Sequence, residues 1–132
     1  MSAHPIDRPP QALSALMVQR DNAIAVDVLR DYTDLPAPTI VPRPYGVHVI
    51  VADIEELGDW LIERGGEIRI SPQYDDVEVW TLHTATPALP DGSGAVVVRV
   101  SVVLPTGERV RDEIRAAVGR TVPSRHEVGG EE

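Results

Sequence analysis

Cysteine, lysine and phenylalanine are all missing from this chain of 132 residues. Without cysteine there is no disulfide, no thiolate nucleophile and no thiolate-bound metal or iron–sulfur centre. That composition is compatible with a reducing cytoplasm, which is the compartment expected. Without lysine, all 12 basic residues are arginine. Together with abundant alanine, valine, proline, glycine and aspartate, this usage resembles that of a GC-rich genome, such as an actinobacterium or one of its phages or mobile elements, where lysine and phenylalanine codons are scarce. Long apolar runs are lacking too: none approaches the roughly 20 residues that span a bilayer. The opening MSAHPIDRPP shows no basic region followed by an apolar stretch, so neither secretion nor membrane insertion is expected.

What remains has the balance of a folded domain. Apolar residues make up 42% and charged residues 25%, which argues against wholesale disorder, and the length suits one hydrophobic core. The formal charge of −9 is uneven along the chain. Residues 43–84 hold nine acids and three arginines, a net of −6, whereas residues 85–118 hold four of each. Such a segment repels phosphate backbones, so direct nucleic-acid binding is not expected and a basic partner is easier to accommodate. The plainest reading is that the carboxylates keep the domain soluble.

Residues 1–9 read as a flexible leader. Over residues 10–32, Leu13, Leu16, Met17, Ile24, Val28 and Leu29 recur at helical spacing, and Pro9-Pro10 can open the first turn, so a helical segment is predicted. Asp21-Asn22 is where it would divide in two, and Ile24, Val26 and Val28 also alternate as a strand would. The segment PAPTIVPRP (36–44) contains four prolines, which predicts an extended polyproline strap laid over the surface.

From Tyr45 onward the pattern is βαβββ. Val47, Val49 and Val51 alternate with His48 and Ile50 in a strand over 47–52. Asp53 stands where an N-cap belongs, with Glu55 and Glu56 in the first turn. Ile54, Leu57, Leu61 and Ile62 form the buried stripe of a helix over 53–64, which Gly65-Gly66 stop. EIRIS (67–71), VEVWTLHT (77–84) and AVVVRVSVVLP (95–105) follow as strands, separated by a turn at 72–76 and a loop at 85–94. In the last run Val96, Val98, Val100, Val102 and Leu104 share one face, while Val97 and Val103 flank Arg99 and Ser101 on the other. The alternation predicts one mainly antiparallel sheet. Thr106 is placed to cap a helix over 107–118 on Val110, Ile114, Ala117 and Val118, and residues 119–132 read as a disordered polar tail. The fold class is α+β, a single domain over 10–118.

The order βαβββ, with a histidine on the first strand and an aspartate opening the helix, resembles one module of the vicinal-oxygen-chelate superfamily of glyoxalase and bleomycin-resistance proteins, over about residues 45–104. The resemblance implies a metal-binding histidine at His48, a glutamate on the last strand and two modules to close a site, hence a dimer of single copies. The strand at 95–105 departs from it, having no carboxylate.

Taken by themselves, His48 and His83 are candidate metal ligands if the first and third strands are neighbours, with Glu78 or Asp76 as a third. No HxH, HExxH or HxxxH spacing supports them. Asp75, Asp76 and Glu78 form a carboxylate cluster that serves acid–base chemistry when held in a cleft; between two strands, a plain turn is the expectation. The glycine pairs lack phosphate-loop context and no nucleophile elbow is present, so no catalytic residue, cofactor or metal is assigned. Trp60, outside the Ile54, Leu57 and Leu61 stripe, and Trp80 are candidate exposed anchors of a binding surface, unless they pack beneath the N-terminal helix and the proline strap.

These readings point to a non-enzymatic protein-binding or assembly module with an unknown protein partner. Its interaction surface is expected among Trp60, Trp80, His48, His83, Asp75, Asp76, Glu78, Val97 and Val103. A small-ligand or metal-binding dimer of the chelate type and an acidic decoy of a nucleic-acid-binding protein are the alternatives. A homodimer through the sheet is also expected. Helix 53–64 can cover only one sheet face, and the other must be covered by the helices at 10–32 and 107–118 or by a second copy.

Overall fold

The computed structural model describes residues 10–72, 76–88, 90–91 and 93–126; the leader and the last six residues of the tail lie outside them. Helix α1 (Pro10–Thr33) runs unbroken through Asp21-Asn22. Asn22 is buried and its Nδ2 donates to the Arg43 carbonyl at 2.8 Å. A side chain that competes with a helix backbone thus finds its partner elsewhere, and the helix survives. Val26 and Leu29 share the buried face, whereas Leu13, Leu16, Met17, Val18, Ile24, Val28 and Tyr32 are exposed.

The proline-rich segment is a strand, not a strap. Thr39–Arg43 forms β1, paired antiparallel with β2 (Gly46–Ile50) at the edge of the sheet. Pro42 is tolerated there because an edge strand needs ladder bonds on one side only. Helix α2 (Ile54–Arg64) begins with reciprocal capping: the Asp53 carboxylate accepts from the Glu56 N–H at 3.0 Å, and Glu56 Oε1 accepts from the Ala52 N–H at 2.8 Å. Strands β3 (Glu67–Pro72), β4 (Val77–Ala85) and β5 (Val97–Pro105) follow.

The five strands lie in the order β1-β2-β5-β4-β3. Strands β2 and β5 run parallel and the other three neighbouring pairs antiparallel, so the sheet is mainly antiparallel, as expected, with one parallel seam. The reason lies in the path: α2 carries the chain from β2 to the far edge, β3 and β4 return as a hairpin, and β5 fills the slot between β4 and β2. A strand so apolar is expected inside a sheet.

The last helix is a single turn, α3 (Asp112–Arg115), not a helix over 107–118. Val110, Ile114 and Ala117 are buried as their spacing requires, but the backbone beyond them pairs with the outer edge of β3. The Ile68 N–H donates to Ala117 O at 2.9 Å, the Gly119 N–H to Ile68 O at 3.0 Å, and Gly66 and Val122 exchange both bonds. An edge left bare invites aggregation, and this segment covers it. Residues 119–126 therefore belong to the domain, with Ser124 buried, and are not a disordered tail.

One core joins the three helical segments to one side of the sheet. Val47, Val49, Leu82, Val98, Val100 and Val102 meet Val26 and Leu29 of α1, Leu57, Trp60 and Leu61 of α2, and Ile114 of α3. The packing is close enough at Gly58 that an added Cβ would lie 2.8 Å from Ile114 Cδ1. The terminal helices thus share the face that α2 covers, and none of the described helices covers the second face.

Candidate functional site on the open sheet face

Alternation along β5 buries Val98, Val100, Val102 and Leu104 and turns Val97, Arg99, Ser101 and Val103 to the open side. Register then fixes the neighbours. Arg99 lies between His48 on β2 and His83 on β4, and Glu67 on β3 is the partner of His83. In the next row Ser101 is opposite Thr81, and Thr81 opposite Arg69. With one strand on each side of Arg99, the two histidines are roughly 10 Å apart at the backbone.

A hydrogen-bonded chain crosses these rows. His48 Nε2 lies 2.9 Å from Ser101 Oγ, which lies 3.0 Å from Thr81 Oγ1. Around it the sheet forms a groove of about 490 Å³, bounded by Tyr45 and Val97 at one end and by Arg69 and Ser71 at the other.

The charge of this face is opposite to that of the chain. Arg43, Arg69 and Arg99 border it, with Glu67 as the nearby acid. Arg69 reaches Glu67 at 3.5 Å, a loose and exposed contact. Burial, Arg43 and Arg99 lower the pKa of His48; burial, Arg99 and Arg69 lower that of His83, against a weaker opposing pull from Glu67. Both rings are held neutral at neutral pH, each with one N–H donor and one acceptor nitrogen. A cluster of acids sits on the other side, on α2, where burial, Glu55 and Glu56 raise the pKa of Asp59.

This arrangement can hold and orient a ligand. A serine–histidine pair is present, but a nucleophile also needs its base oriented and donors placed for the oxyanion. The groups acting on His48 are arginines, not a carboxylate, and Ser101 lies mid-strand with its carbonyl accepting from the Val51 N–H. Metal ligation fares no better, because Arg99 stands between the two histidines and no cluster of three potential ligands occurs among the described residues.

Of the residues singled out from sequence, His48, His83, Val97 and Val103 share the open face; the others do not. Trp60 and Trp80 are buried, at 0% and 3% exposure, so neither is an exposed anchor. Trp60 Nε1 donates to the Pro36 carbonyl at 2.7 Å, and Trp80 Nε1 to Glu78 Oε1 at 3.0 Å beneath the Arg115 guanidinium. Glu78 therefore serves the core side. Asp76 makes the turn, at φ 60°, with its carbonyl accepting from the Thr106 N–H; Asp75 lies outside the described residues. Arg43, Arg69, Arg99, Thr81 and Tyr45 were missed as site residues. The available signal was alternation, which already set Arg99 and Ser101 apart from the core face of β5.

Comparison with protein-family models, curated proteins and solved structures finds no match for this chain. The chelate-module resemblance thus rests on element order alone.

Proposed function

We propose that this chain is a non-enzymatic binding module and that its open sheet face is the recognition surface. One observation carries the reading: among the described residues all the helical cover lies on one side of the sheet, while the other side leaves Val103 62%, Val97 46% and Ile50 41% exposed around a groove lined by Arg99, which makes no ion pair among the described residues. Exposed apolar area rimmed by polar groups is the common mark of a contact surface. The acidic decoy is less well supported, because the −6 of residues 43–84 divides in space: Glu55, Glu56, Asp59 and Glu63 lie on α2, while Arg43 and Arg69 are on the opposite face.

The homodimer is a second reading, and what favours it lies on α1 rather than at Val97 and Val103. The exposed apolar residues of α1 run its length, from Leu13 to Tyr32. Two copies packed along α1 would bury these side chains, which one copy leaves in water.

The test is amide chemical-shift mapping of labelled chain against extract of the native host, split into low- and high-mass fractions, alongside sedimentation. Shifts at His48, Val97, Arg99 and Ser101 are expected; shifts confined to α1 overturn the open-face reading. A mass that rises with concentration and falls back in Met17→Glu supports the α1 dimer.

A further inference from the structure

We propose that the occupant of the open face is a small organic oxyanion, with its carboxylate or phosphoryl group on the Arg99 guanidinium between His48 and His83 and its apolar part against Tyr45 and Val97. This rests on the binding-module reading and names its ligand class. Charge complementarity is the first argument: Arg69 and Arg99 line the groove and Arg43 acts on His48 from the edge strand, with Glu67 as the acid beside them, in a chain of net charge −9. A planar guanidinium is the side chain best matched to a two-oxygen anion.

Size is the second argument. The groove of about 490 Å³ lies within the roughly 300–1,000 Å³ of small-molecule sites. A polyanion such as nucleic acid would extend past the three arginines and meet the acidic remainder of the chain, whereas a small ion does not. A second copy placed face to face would set its own Arg99 row against this one, a like-charge contact.

The third argument is preorganisation. Ser101 engages His48 Nε2 at 2.9 Å and is itself tied to Thr81 at 3.0 Å, so the ring is already oriented beside Arg99. Tyr45, 67% exposed, stands at the end of the groove opposite Arg69, where it offers an apolar wall.

The experiment titrates labelled chain at low ionic strength with phenyl phosphate, benzoate, inorganic phosphate and a hexaglutamate peptide, following the Arg99 Nε–H and the flanking amides. Saturable binding of phenyl phosphate or benzoate is expected, the tighter of the two identifying the preferred anion, and inorganic phosphate is expected to bind more weakly than phenyl phosphate. Arg99→Gln is expected to weaken the organic anion about tenfold. Arg111→Gln removes the same charge on the α2 side, where Arg111 pairs with Glu55, and is expected to leave affinity unchanged. Equal weakening by the two variants, or no saturable binding of either organic anion, overturns the proposal. So does binding of the peptide alone; in that case the open-face reading stands and only the ligand class falls.

Discussion

His48 Nε2 lies 2.9 Å from Ser101 Oγ across the parallel seam of β2 and β5. A neutral hydroxyl, not a carboxylate, therefore orients this ring, and burial, Arg43 and Arg99 disfavour its protonation. His83, on the far side of Arg99, is under the same pressure from burial, Arg99 and Arg69.

Both rings bind a proton less readily in the folded chain than in the unfolded chain, where histidine titrates near 6.5. As pH falls below that value the unfolded state takes up more protons, so stability present above pH 6.5 is lost as pH drops toward the folded-state values. In urea titrations the His48→Gln, His83→Gln double variant is expected to lose less stability than the wild type as pH falls below 6.5. Arg99→Gln is expected to raise both histidine pKa values in proton NMR. Wild-type rings titrating at or above 6.5 would contradict this.

Trp60 is fully buried, with its Nε1 donating to Pro36 O at 2.7 Å. Trp60→Phe keeps most of the packing and leaves that carbonyl without its donor, at an expected cost of about 1–3 kcal/mol. Trp60→Ala adds a cavity and is expected to cost about 3–5 kcal/mol. Denaturant unfolding measures both; no loss in the phenylalanine variant would mean the bond contributes nothing.

Gly66 and Gly119 both have positive φ, at 128° and 76°, but their surroundings differ. A Cβ at Gly66 would lie 2.3 Å from His83 O, whereas at Gly119 it meets nothing within 4 Å. Gly119→Ala is expected to cost about 1–2 kcal/mol, the backbone strain alone. Gly66→Ala combines strain with a clash against a strand carbonyl and is expected to cost about 3 kcal/mol or more. Thermal unfolding of the pair checks the order.

Local rules were legible where local physics decides. Asp53 with Glu56 three residues on, the Ile54, Leu57 and Leu61 stripe and Gly65 mark α2 to within a residue, because caps and helical faces are set by neighbours in the chain. The alternation of β5 likewise separated its inner valines from Val97, Arg99, Ser101 and Val103. Where long-range pairing competes, local signals failed. The four prolines of 36–44 read as a strap until β2 supplied an edge partner, and the spacing of Val110, Ile114 and Ala117 read as a helix until β3 drew the backbone beyond Ala117 into its own edge.

The candidate site shows the same division. Sequence alone determined that this is an α+β domain without thiol chemistry, and which residues of each strand share a face, since side chains alternate with period two. Tertiary structure decided that β5 inserts between β2 and β4, which sets His48, Arg99 and His83 in one row although they are far apart in the chain. It decided too that the three described helical segments crowd one face of the sheet and that none of them covers the other. Counting charge along residues 43–84 showed an acidic stretch, yet alternation and strand order send Arg43, Arg69 and Arg99 to one side of the sheet and the α2 carboxylates to the other. Strand order and the choice of face are fixed by contacts between residues distant in sequence, and no local pattern encodes them.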